Sequence, residues 1–168
     1  MDATSPLVSI VTPSFNQGRF LKRTIASVLL QDYPLIEYCV IDGGSRDDSI
    51  DILRTYGERF YWHSQPDNGQ SDAINQGMRR SRGDILAYLN SDDVLKPGAI
   101  SAVVKHFANH PEWDLIYGNA QNINADDSVI NDYPAEPYSF DKLLQTCCIC
   151  QPATFWRRRE VGESAQGD

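Results

Sequence analysis

Apolar positions along this chain fall into two alternating rhythms. Leu7-Val-Ser-Ile-Val11 is a short apolar run ended by Thr12-Pro13, and it predicts a fully buried strand. After Ser14-Phe-Asn-Gln-Gly18 the spacing changes. Leu21, Ile25, Val28 and Leu29 fall at helical intervals on one face, and Asp32-Tyr-Pro34 stops the helix. Ile36 to Ile41 predicts a second strand, closed by Asp42-Gly-Gly-Ser45. Ser45 or Asp47 then stands where an N-cap is needed, ahead of a helix whose Ile50, Leu53 and Tyr56 share a face.

The alternation continues. Phe60 to His63 predicts a third strand, "SQPDNGQ" a loop, and Ser71 to Ser81 a helix ended by Gly83. Ile85 to Leu89 reads as a strand. Ile100, Val103, Val104 and Phe107 mark another amphipathic helix, and Trp113 to Tyr117 is strand-like again. Residues 118–137 are polar with a hairpin pattern, Phe140 to Leu144 fits a short helix, and Ile149 to Trp156 closes the series as a strand. Strands alternating with helices imply βαβ crossovers, hence an α/β fold with a mostly parallel sheet, in one domain over residues 1–168. In such sheets ligands bind outside the carboxyl ends of the strands. "PSFN", "DGGS" and "NSDD" each follow an apolar strand, so all three are expected on one edge.

Composition narrows the function. With 168 residues, 41% hydrophobic and 23% charged, the chain is ordinary for a soluble globular domain. The apolar runs are too short to cross a bilayer, and Met1-Asp-Ala-Thr-Ser-Pro6 has no signal-like pattern, so a cytoplasmic protein is expected. A net charge of −8 argues against a nucleic-acid partner, whose phosphates need neutralising. Cys39, Cys147, Cys148 and Cys150 lack the paired spacing of a zinc site, and the last three are expected as buried thiols on a late strand. His63, His106 and His110 form no metal spacing with them.

Three segments carry candidate chemistry. In Asn90-Ser-Asp-Asp93, two carboxylates at a strand end suit a divalent cation completed by phosphates and water, or a solvated turn. Asp42 at the second strand end stands ready to accept hydrogen bonds from a base or a sugar, or to brace a tight turn. Asp72 and Asn75 lie one helical turn apart, facing either a ligand or solvent. Arg157 to Arg159 put a basic cluster in an acidic chain, read more readily as a solvated run than as a diphosphate site.

These residues together resemble the nucleotide-binding part of the family 2 glycosyltransferases, inverting enzymes of the GT-A fold. "VSIVTPSFNQGRFLKRTIASVLLQDYPLIEYCVIDGGSRDDSIDIL" is similar to the family's opening, "DNGQSDAINQGMRRSRGDILAYLNSDD" to its middle, and "QPATFWRR" to a later segment. The likeness spans residues 7–159 and leaves 160–168 as an unmatched tail. It implies that Pro13, Phe15 and Asn16 lie against a nucleotide and that Asp42 helps hold the base and ribose. The second acid of the family's strand-end pair is Gly43 here. Asp92 and Asp93 match the end of the metal-binding motif, whose first acid is Asn90 in this chain, and Asp92 is also expected at the nucleotide sugar. Asp72 and Asn75 fall in the matched middle segment and join the donor-binding set.

The resemblance implies a metal-assisted transfer of a sugar, with inversion, from a nucleoside-diphosphate donor (UDP most readily) to a glycan or lipid-linked acceptor. Mn2+ or Mg2+ would serve as cofactor, and peripheral association with a membrane surface stays open. A carboxylate must take the acceptor's proton. The family carries that base in an acidic motif past the segment matching "FWRR", where this chain has "REVGESAQGD"; neither Glu160 nor Glu163 is assigned the role. Two other readings remain: a nucleotide-sugar-binding module without transfer, and an α/β interaction domain whose acidic turns are structural. A donor-binding half is also expected to expose an apolar face and to self-associate.

Overall fold

The computed structural model describes residues 5–146 and 148–159. Thirteen strands and helices follow in chain order. They are β1 (Val8–Ser14), α1 (Gly18–Leu29), β2 (Ile36–Asp42), α2 (Ser49–Thr55), β3 (Tyr61–Ser64), α3 (Gln70–Arg80) and β4 (Ile85–Tyr88). After these come α4 (Ala99–Asn109), β5 (Leu115–Tyr117), β6 (Ala120–Ile123), β7 (Val129–Tyr133), α5 (Phe140–Leu143) and β8 (Thr154–Arg157). Six strands make one sheet in the order β3-β2-β1-β4-β8-β5, and β6 and β7 form a separate hairpin. The first four are parallel; β8 runs antiparallel between β4 and β5.

Alternation along the strands sorts side chains to two faces. Val8 and Ile10 of β1 pack with Leu21, Ile25 and Val28 of α1 in the larger core, which also takes in Leu53, Ile100, Phe107 and Phe155. Val11, Cys39 and Ile41 point the other way and meet Ala73 of α3. Burial pushes the Cys39 thiol up to about 12, so it behaves as a packed apolar group. α3 sits tight on the sheet because Gly77 lies directly against the Val11 side chain, where a Cβ would have no room.

Three expectations need correction. β1 does not end at Thr12 but continues through Pro13 to Ser14. Val11 faces β4, accepting from Leu89 N at 2.9 Å, and Ser14 faces β2, accepting from Gly43 N at 2.8 Å. Pro13 therefore turns its missing N–H to the β4 side, beyond the last β1–β4 pair at Val11 and Tyr88, and no ladder bond is lost. Ile149 to Trp156 is not one strand: Gln151–Ala153 is a 3-10 turn and only Thr154–Arg157 is extended. Cys148 and Cys150 are buried as expected, but in the loop before that turn; Cys147 lies outside the described residues.

Neither proposed N-cap fills the cap position of α2, which is Asp48. Asp47 does accept from Ser49 N at 3.0 Å and from Gly18 N at 2.9 Å, so one carboxylate ties the starts of two helices together. No helix among the described residues is long and apolar enough to cross a membrane.

Candidate functional site

The carboxyl ends of β1, β2 and β4 open into one cleft of about 910 Å3, lined by Pro13, Phe15, Asn16, Gly43, Asn90 and Asp92 among others. The three polar segments thus share the edge that the strand order demands. Phe15 stands 60% exposed at the mouth, an aromatic face with no core to cover it. Asn16 sits at φ 52, a left-handed conformation that asparagine tolerates better than most residues. Its N–H donates to Ser45 Oγ at 2.8 Å, and its Oδ1 accepts from Arg46 N at 2.8 Å. One side chain and its own backbone therefore lock the loop after β1 to the loop after β2.

Asp42 takes a different place from the one expected. It is fully buried, and its carboxylate faces the loop behind the cleft wall. Oδ2 accepts from Gly44 N at 3.1 Å, Ser45 N at 2.9 Å and Ser64 Oγ at 2.6 Å, while Oδ1 accepts from Ser45 Oγ at 2.5 Å. Four donors satisfy the charge inside the protein. Asp42 shapes the 43–45 turn, which in turn holds Asn16; it does not line the cleft.

Asn90 to Asp93 are held from two sides. On one, Thr24 Oγ1 of α1 lies 2.8 Å from both Ser91 O and Asp93 O, with Ser27 Oγ accepting from Leu95 N at 3.0 Å one turn on. Gln31 completes the stripe, donating to Lys96 O at 2.9 Å and accepting from Ile100 N at 3.2 Å. On the other side Gln151 donates to Tyr88 O at 2.9 Å and accepts from Asn90 Nδ2 at 2.8 Å. Asn90 Oδ1 takes the Gln70 amide at 2.7 Å.

The two carboxylates differ. Asp92 is exposed and lines the cleft, while Asp93 is half-buried. Burial first, and then the neighbouring Asp92 charge, push the Asp93 carboxyl above its usual range, against the pull of the Asn90 amide at 3.2 Å. Negative charge is therefore concentrated at the end of β4 with an amide as its only polar relief in that set. Among the described residues no group of three His, Cys, Asp or Glu side chains is placed to hold a metal. The pair Asp92 and Asp93 still fits a hard divalent cation of the kind that takes one or two carboxylates and finds its other oxygens on a bound phosphate and water.

Asp72 and Asn75 are not brought into the cleft. Asp72 accepts from Asn68 N at 3.2 Å, and this backbone bond leads the causes that hold its carboxyl below the usual range. It fastens the turn before α3; Asn75 lies exposed further along the same helix. Arg157 and Arg158 are not a solvated run either. They donate to Trp113 O, Phe107 O, Gly83 O and Ser81 O, far along β8 from the cleft. Sequence reasoning passed over Arg46, Asp67, Gln70 and Gln151. Arg46, Asp67 and Gln70 line the cleft, and a cation beside a strand-end glycine pair was the signal available for the first. Glu160 and Glu163 lie outside the described residues. A second, more apolar cavity of about 560 Å3 between α4 and β5–β6 shares Asp92 with the cleft.

Comparison with known proteins identifies the family and the fold. The model of the family described as glycosyl transferase family 2 matches residues 9–164. Chondroitin synthase of Pasteurella multocida (strain Pm70) is 32% identical over 142 residues, which cover 82% of this chain and 15% of that protein. A PGL/p-HBAD biosynthesis glycosyltransferase of Mycobacterium bovis (strain BCG / Pasteur 1173P2) is 30% identical over 163 residues, covering 94% of this chain and 62% of that one. The chain thus spans less than two thirds of the length of either relative. S. aureus TarS 1-349 in complex with UDP-GlcNAc superposes with a TM-score of 0.69 at 16% identity, over 90% of this chain and 45% of that one. Mannosyltransferase PcManGT from Pyrobaculum calidifontis, in complex with GDP-Man and Mn2+, gives 0.63 at 20% identity over 71% of this chain and 37% of that one. Both structures share the α/β arrangement with its mostly parallel sheet.

Proposed function

The chain belongs to glycosyl transferase family 2, and we propose that its cleft binds the nucleoside diphosphate of a sugar donor with a divalent cation at Asp92 and Asp93. The observation that carries this reading is the convergence at the end of β4. Exposed Asp92 lines the same cleft as Phe15 with half-buried Asp93 next to it in the chain; Thr24 of α1 holds the backbone of their turn on one side, and Gln151 holds Tyr88 O and Asn90 on the other. Pro13 and Phe15 offer the base an apolar surface. Arg46, the cation lining this cleft, offers the diphosphate a partner. The names of relatives support the class: TarS was crystallised with UDP-GlcNAc and PcManGT with GDP-Man and Mn2+.

Within the whole protein, the reaction proposed is inverting transfer of the sugar to a hydroxyl of a glycan or lipid-linked acceptor. Mn2+ or Mg2+, when bound, supplies Lewis-acid stabilisation of the departing diphosphate. The protein's own part is positional. Thr24, Ser27 and Gln151 hold the acidic turn in one conformation before ligand arrives, so no reorganisation is needed as charge builds on the leaving group.

Calorimetric titration with UDP and with GDP, with and without Mn2+, tests the reading. Metal-dependent binding that Asp92→Ala/Asp93→Ala abolishes supports it. A folded chain that binds neither nucleotide in either condition leaves the acidic turn structural and sinks it.

A further inference from the structure

One corner of the cleft is built in a way that the donor reading does not explain. Ser14 and Gly43 are joined there, Gly43 N donating to Ser14 O at 2.8 Å. A Cβ on Gly43 would stand 2.9 Å from Asp67 Oδ2 and 3.0 Å from Oδ1. The Asp67 carboxylate, arriving from the loop before α3, therefore fills the space where a side chain at position 43 would begin. Its orientation is set: Oδ1 accepts from Gly69 N at 2.8 Å. Ser14, Gly43 and Asp67 all line the cleft, next to Pro13 and Phe15.

We infer that Asp67 reads the base of the donor, and that it selects a base whose edge carries an N–H. An ionised carboxylate only accepts, so it needs an N–H. Uracil offers this N–H at N3, and guanine at N1. Cytosine and adenine place a lone pair where that N–H would be and face the carboxylate with repulsion. Gly43 is what lets the acid come from the second loop, since any side chain there would displace Asp67. The inference rests on the donor reading and deepens it.

The test is a titration series with Mn2+ present, using UDP, GDP, CDP and ADP, on the chain itself, on Asp67→Asn, on Asp67→Gly and on Gly43→Asp/Asp67→Gly. The unaltered chain is expected to bind UDP or GDP roughly ten- to hundred-fold more tightly than CDP and ADP, the range for one charge-assisted hydrogen bond. In Asp67→Asn the carbonyl stays on Gly69 N–H, so the amide nitrogen takes the place of Oδ2 and donates. Preference should then move toward CDP. Asp67→Gly should lose discrimination, and restoring a carboxylate at position 43 should recover part of it, which guards against a variant that merely folds poorly. Equal binding of all four nucleotides by the unaltered chain, or a uniform loss across all four in Asp67→Asn, would overturn the assignment while leaving the donor reading intact. Failure of every nucleotide to bind would remove both.

Discussion

The edge formed by β1, β2 and β4 and the excursion from Gly118 to Thr146 are built on opposite terms. At the edge, every residue of β1 is buried and the polar groups bond to one another across loops far apart in sequence. In the excursion, all five residues of β7 are exposed, and Val129, Ile130, Tyr138, Phe140 and Leu144 each leave more than half of their surface uncovered. The hairpin holds by its own ladder and by side-chain pairs such as Gln121 with Asp132 at 2.8 Å. The difference shows where this part of the protein is self-sufficient. The polar groups around the cleft are bonded to one another, whereas Val129, Ile130, Tyr138, Phe140 and Leu144 stand uncovered among the described residues.

The contrast can be broken or sharpened by four changes. Asp42→Ala should be the most damaging: it strands four donors in a fully buried pocket, at a cost of about 3–5 kcal/mol. Urea unfolding measures that loss, and a change under about 1 kcal/mol would mean that water replaces the carboxylate freely. Gly77→Ala should cost about 2 kcal/mol by forcing α3 off Val11, read as a lower midpoint at unchanged m-value.

Thr24→Val keeps the shape of the α1 stripe and removes the hydroxyl shared by Ser91 O and Asp93 O. About 1–2 kcal/mol of stability should go, together with a measurable part of metal-dependent nucleotide affinity. Lost stability with unaltered affinity would show that the acidic turn keeps its geometry without α1. Ile130→Ser, on the open strand, should stay within about 0.5 kcal/mol in unfolding. If the chain self-associates, the same change should weaken that association by light scattering.

How far the sequence foretold this depends on what kind of contact decides each feature. Helical and strand periodicity placed α1, α3, α4 and β1 to β4 within a few residues, because one buried face leaves a local imprint. The shared edge followed from strand direction alone. What stayed hidden was orientation at the strand ends. Whether Asp42 faces a ligand or the protein turns on four donors, one of them Ser64 at the end of the next strand, across a helix in the chain. Asp67 meeting Gly43 depends equally on how two loops approach, and no spacing encodes that. Arg157 at the end of β8 and Arg158 just after it look solvated in sequence, yet their partners are carbonyls at the ends of α4 and α3.

The position of β8 has a consequence for the order of events as the chain is made. Strands β3, β2, β1 and β4 all come from the first 88 residues, so the edge that bears the cleft can assemble while the rest is still emerging. β5 cannot join them, because among the described residues its only partner in the sheet is β8. Until Thr154–Arg157 arrives, the outer side of β4 stands as an unpaired edge directly below the acidic turn. The last short strand thus closes two gaps at once, sealing an edge open to wrong partners and admitting a strand that has waited some forty residues of chain length for it.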